Sequence, residues 1–157
     1  MINKTELLAR IVAQLQSELA LLTTAALATH AEATDEENKA EDKYDTRGLE
    51  ASYLAHGQSK AAEETALALA QFQSLSLRAF AAGEPIGLGA LVALEGAARY
   101  FIGPRAGGTE IVLPGATVLV ITPQSPLGRQ LLGRRQDDTV QLDVGGKRSA
   151  ARIVAVT

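Results

Sequence analysis

Cysteine and tryptophan are both absent from these 157 residues, and aromatic residues make up only 4% of them. Without cysteine there is no disulfide framework, no thiolate metal site and no cysteine nucleophile. So few aromatics also leave little material for an aromatic-lined ligand cleft. Long uncharged apolar runs are missing as well. The longest, Leu19 to Thr29, contains three threonines and falls well short of the roughly 20 residues a membrane span needs. Met1 to Arg10 carries Lys4, Glu6 and Arg10 among its apolar residues, so it lacks the h-region of a signal peptide. No dense basic stripe of the kind that binds duplex DNA is present. What remains is a chain with 46% apolar and 21% charged residues, expected to be globular and cytoplasmic, with no membrane partner.

The net charge of −3 conceals a division. Residues 1–82 hold seven basic and twelve acidic residues, whereas residues 83–157 hold eight basic and six acidic. Between Glu32 and Glu50 alone there are eight carboxylates against Lys39, Lys43 and Arg47. Two units with different partners are expected from such a split.

Periodicity divides the chain at the same place. Leu8, Val12, Leu15, Leu19, Leu22 and Ala26 follow heptad spacing, with Asn3 and Glu6 placed as a capping box at the start. A bend is expected at Tyr44 to Gly48. A second helical stripe then runs through Leu49, Tyr53, His56, Ala62, Ala66, Leu69 and Phe72 as far as the stop at Gly83 and Pro85. Two long helices with a short bend between them predict an antiparallel coiled-coil hairpin over residues 1–82. Its acidic tip falls near 42–50.

From Leu91 the period changes to that of short strands, expected at Leu91–Leu94, Arg99–Ile102, Thr109–Leu113, Thr117–Ile121, Val140–Val144 and Ala151–Val156. Gly107-Gly108 and Gly145-Gly146 are placed as hairpin turns. Ser125 as N-cap, Pro126 at the first position and Gly133 as stop mark one short helix between the strands. The fold class is therefore α+β, with a helical hairpin followed by a small antiparallel β domain that carries one helix, over residues 83–157.

Two segments have the form of a known family. Ser125-Pro126-Leu127-Gly128-Arg129-Gln130-Leu131-Leu132-Gly133-Arg134-Arg135 and Tyr100-Phe101-Ile102-Gly103-Pro104 resemble stretches of the Gre transcript-cleavage factors, and the resemblance extends over the whole chain. It implies that the C-terminal domain is FKBP-like and docks on bacterial RNA polymerase at the secondary channel. Ser125, Pro126, Leu127 and Arg129 are the partner-binding candidates. The coiled coil would then carry its acidic tip toward the polymerase active site and the nascent RNA 3′ end. Asp45, Glu50 and Asp42 are the catalytic candidates there, and Asp45 and Glu50 the metal candidates for a magnesium ion held jointly with polymerase. Such a protein is no enzyme by itself; it stimulates cleavage of backtracked RNA by the polymerase.

The tip departs from the family spacing. With Tyr53 on the family tyrosine, Leu49 falls where the second acid belongs, and Glu50 is one residue off. The alternative is a regulator that occupies the channel without cleavage. More distant readings are an FKBP-like prolyl isomerase and a coiled-coil dimer; a monomer is expected, because each chain has its own bend and stops.

Overall fold

The computed structural model describes residues 1–34 and 47–157. These form two compact units, Met1–Ile11 together with Gln71–Thr157, and Val12–Ala70.

Two helices, α1 (Lys4–Thr34) and α2 (Arg47–Gln73), supply the unit Val12–Ala70, while the first turns of α1 and the end of α2 belong to the other unit. Asn3 starts α1: its Oδ1 accepts from Thr5 N–H at 2.9 Å and from Glu6 N–H at 3.3 Å. Only half of the expected box forms, because the Glu6 carboxylate turns forward to Arg10 instead of back to the cap. Of the heptad positions on α1, Leu15 and Ala26 are buried, and Leu8, Val12, Leu19 and Leu22 are half-buried, as is Ala25 beside them.

On α2 the shielded face differs from the expected one. Ala55, Thr65, Ala68 and Phe72 are buried, while Leu49, Tyr53, His56 and Ala66 are exposed. The shielded face holds three small residues and one large one, Phe72, and it is not the face that the apolar stripe marks.

α2 also stops earlier than Gly83. Beyond Gln73 the chain leaves the helix at Ser74, whose Oγ donates to the Gln71 carbonyl at 3.2 Å. A serine hydroxyl that bonds local backbone in this way competes with continuation of the helix. Arg47 and Gly48, expected in the bend, belong instead to the first turn of α2; Tyr44 to Thr46 lie outside the described residues.

The second unit is a six-stranded sheet with β1 (Leu91–Leu94), β2 (Arg99–Ile102), β3 (Glu110–Leu113), β4 (Ala116–Ile121), β5 (Thr139–Val144) and β6 (Lys147–Val156). The order is β3-β4-β2-β1-β6-β5. It is a mixed sheet, not the antiparallel one expected, because β2 and β4 pair in parallel from Tyr100↔Leu119 to Ile102↔Ile121. The cause is the loop at 103–109. It does not close a hairpin at Gly107-Gly108, but carries β3 one strand-width outward, and β4 returns into the gap. Gly108 N–H and Val120 N–H bond across that gap to Val120 and Thr109 carbonyls, each at 2.8 Å. Gly145-Gly146 does form the expected two-residue turn. Both residues have positive φ and join Val144 to Lys147, as a type I′ hairpin requires.

Side-chain alternation gives the sheet two buried faces. Val92, Leu94, Ile102, Ile121 and Ile153 pack on one side with Leu131 of α3 (Pro126–Leu131) and with Phe80. Leu91, Phe101, Ile111, Val118 and Val120 point to the other side, where Phe72 lies near Val120 beside Gly103. The first turns of α1 belong to this unit too, with Leu7 and Ile11 fully buried.

Lys4 anchors this attachment. Its Nζ donates to the carbonyls of Arg78 (2.6 Å), Gly89 (2.9 Å) and Thr157 (3.0 Å), and it stands 5.0 Å from the Phe80 ring centroid. Burial, and then the nearby Arg78 guanidinium, lower its pKa from the usual lysine value. By length and composition α1 would pass as a membrane span.

Candidate functional site

The tip and the start of α3 carry the residues singled out from sequence. Of the tip acids, Asp42 and Asp45 lie outside the described residues. Glu50 stands in the first turn of α2 and is exposed. A carboxylate at that end of a helix is favoured by the helix dipole. Around it, Leu49, Tyr53 and Leu54 are 56%, 71% and 57% exposed. Tyr53 faces water. The beginning of α2 therefore shows a carboxylate among apolar side chains that bury little of their surface. Among the described residues no group of three His, Asp or Glu side chains could hold a metal ion. His30 and His56 are both exposed.

At α3 the sequence reading of local structure was close. Ser125 is the N-cap in extended backbone (φ −65°, ψ 155°), with Pro126 following it. Its Oγ accepts from Gly128 N–H at 3.0 Å and donates to the Thr122 carbonyl at 2.7 Å. The serine hydroxyl thus spends its one donor within the domain. Leu127 is half-buried against the core. What the helix start presents outward is the Pro126 ring, the outer edge of Leu127 and the exposed Arg129. Replacement of Ser125 by Ala should lower stability by about 1 kcal/mol, typical for loss of an N-cap. Urea unfolding of the full chain followed by circular dichroism would show it. An unchanged midpoint would mean that Ser125 does not cap α3 in solution.

Gly128 is needed for the same turn. A Cβ placed there would lie 1.9 Å from the Thr122 carbonyl oxygen, the atom that Ser125 Oγ bonds. The connector before β1 has its own polar cluster. Arg78 stacks 3.9 Å from the Phe80 centroid and bonds Glu84, whose other oxygen accepts from Ala81 N–H at 2.9 Å. That backbone bond first, and Arg78 second, hold the Glu84 carboxyl below its usual pKa.

Sequence reasoning missed Lys4 and Gln130. Lys4 bonds backbone carbonyls 74 to 153 residues away and Gln130 the carbonyl and N–H of Gln141, and no local pattern signals either.

No protein-family model matches the chain. The transcription inhibitor protein Gfh1 of Thermus thermophilus is 33% identical to it, over 73% of this chain and 73% of that protein. The chain belongs to the Gre-like family of transcription factors. Among solved structures, the GreA factor homolog 1 (Gfh1) of Thermus thermophilus covers 93% of this Gre-like chain and 94% of its own, with 21% identity and a TM-score of 0.38. Gfh1 of Thermus aquaticus covers 97% and 92%, with 23% identity and a TM-score of 0.36. The family assignment stands on the sequence match.

Proposed function

We propose that this protein regulates bacterial RNA polymerase by occupying its secondary channel and inhibiting transcription. The observation that carries the reading is the match to Gfh1, a protein described as a transcription inhibitor. In this reading α1 and α2 fold as an antiparallel coiled-coil hairpin. Residues from both helices belong to one compact unit, and their shielded stripes support that pairing. At 1.5 Å per residue the 31-residue α1 spans about 46 Å. The FKBP-like sheet domain docks at the channel rim through Pro126, Leu127 and Arg129, with Ser125 holding the helix start in shape.

The tip then delivers Asp42, Asp45 and Glu50 toward the catalytic centre of the polymerase. Magnesium takes hard oxygen ligands and is commonly held by one or two carboxylates, so these side chains suit a shared ion. Such an ion would stabilise the attacking and leaving oxygens of RNA hydrolysis. Inhibition is favoured over cleavage stimulation by the displaced spacing at Leu49 and Glu50, together with the inhibitory relative. Leu49 gives no ligand where the family has its second acid.

The test is a transcription assay with bacterial RNA polymerase, run beside cleavage of 3′-labelled RNA in a backtracked complex. The intact protein, Asp45→Ala and Glu50→Ala are compared, with retention on polymerase measured for each. Inhibition without cleavage, weakened in either variant while retention persists, is the expected result. Rapid cleavage lost in a variant would establish a cleavage factor instead. Absence of binding would end the polymerase reading.

A further inference from the structure

The sheet order leaves β3 and β5 at its margins, each with one backbone edge turned outward. Such an edge pairs with any strand that reaches it unless lysine, proline, a bulge or a covering element intervenes. β5 reads Thr-Val-Gln-Leu-Asp-Val, with no lysine and no proline. It pairs with β6 from Thr139↔Arg152 to Val144↔Lys147 without a register shift, so no bulge protects it either.

A side chain from α3 covers it instead. Gln130 Nε2 donates to the Gln141 carbonyl at 2.9 Å, and its Oε1 accepts from Gln141 N–H at 2.8 Å. A carboxamide has the donor and acceptor of a peptide group, so Gln130 makes the two bonds that a neighbouring strand would make. The opposite margin is treated similarly: Arg10 Nη1 donates to the Val112 carbonyl of β3 at 3.1 Å.

We propose that Gln130 guards a latent strand-docking edge on β5, and that the occupant of the uncovered edge is β5 of a second copy. Because Gln141 faces outward, the two-residue strand period turns the backbone groups of Thr139 and Asp143 outward too. Two such edges, antiparallel about a twofold axis at Gln141, satisfy each other's donors and acceptors. In that register Thr139 of one copy faces Asp143 of the other, so no two acids oppose. Threonine and valine favour strands, which helps the edge stay extended. The inference is independent of any action on polymerase.

Sedimentation velocity of the full chain at high micromolar concentration tests it. The unaltered protein should run as a monomer, and Gln130→Ala should double the mass. Adding Asp143→Pro to Gln130→Ala should restore the monomer. Proline there removes an outward N–H and leaves the bonds between β5 and β6 intact. Gln130→Glu, which loses the donor but sets a charge on the edge, should remain monomeric. Amide exchange at Gln141 should be protected in the unaltered monomer and rapid in dilute Gln130→Ala. A Gln130→Ala protein that stays monomeric, a dimer that persists with Asp143→Pro, or a dimer of the unaltered chain would each overturn the proposal.

Discussion

Gly128→Ala should destabilise the sheet unit by about 3 kcal/mol or more, at the upper end of what overpacking costs. The added Cβ would meet the Thr122 carbonyl oxygen at 1.9 Å and the Ser125 hydroxyl at 2.8 Å. Neither can yield freely. The Thr122 oxygen holds Ser125 N–H at 3.1 Å and Ser125 Oγ at 2.7 Å, so moving it breaks the cap that starts α3. Leu131, on the same helix, is fully buried in the core and transmits the displacement to the sheet. For a domain of this size the expected fall in Tm is about 12–24 °C. Calorimetry of the full chain reads it directly. Gly57→Ala in α2 is the control, since its Cβ would meet nothing within 4 Å and alanine is the better helix former. A Gly128→Ala protein that melts with the original chain would show that the α3 turn differs in solution.

Truncation of Phe72 should have a comparable effect, about 3–5 kcal/mol for loss of a fully buried aromatic side chain. Phe72 is 0% exposed and lies near the end of α2. Its ring closes over the backbone of Gly103, where a Cβ would come within 2.8 Å of Phe72 Cζ and 2.9 Å of Val120 Cγ1. The contact therefore holds the end of α2 against the loop that sets β3 aside for β4. Urea unfolding of Phe72→Ala provides the number. A double-mutant cycle adds a sharper check. Gly103→Ala should be harmful with phenylalanine at 72 and less so with Phe72→Leu, because the shorter side chain removes one of the two clashes and leaves that with Val120 Cγ1. Additive effects would mean that the two residues do not touch.

Much of the sheet domain was legible because its signals are local. The strands at Leu91–Leu94 and Arg99–Ile102 have the expected bounds, and Ser125 with Pro126 opens α3 where capping chemistry places it. The Gly145-Gly146 turn needs two positive φ values, and only glycine adopts them cheaply. What escaped was non-local. The parallel β2–β4 pair depends on how far a loop travels sideways, and loop composition does not encode that distance. The early end of α2, where Ser74 Oγ bonds the Gln71 carbonyl, and the face that the helix shields did not follow from its apolar stripe. Pro114-Gly115 joins β3 to β4 with Gly115 at φ 77°, a type II arrangement that was readable but went unread. At the site, the Ser125 segment was located by its motif, whereas its hydroxyl proved to be occupied within the domain.

The ammonium of Lys4 also has a consequence in time. One of its acceptors, the Thr157 carbonyl, lies 153 residues further along the chain, and Thr157 exchanges two backbone bonds with Leu91. β6 is the strand that closes the sheet between β1 and β5. During synthesis, at roughly 5–20 residues per second, the Lys4 ammonium must wait roughly 7–30 s before that acceptor emerges. Until then the inner edge of β1 has no partner strand. The nascent protein thus passes through an interval in which an open strand edge is exposed, a condition that favours aggregation.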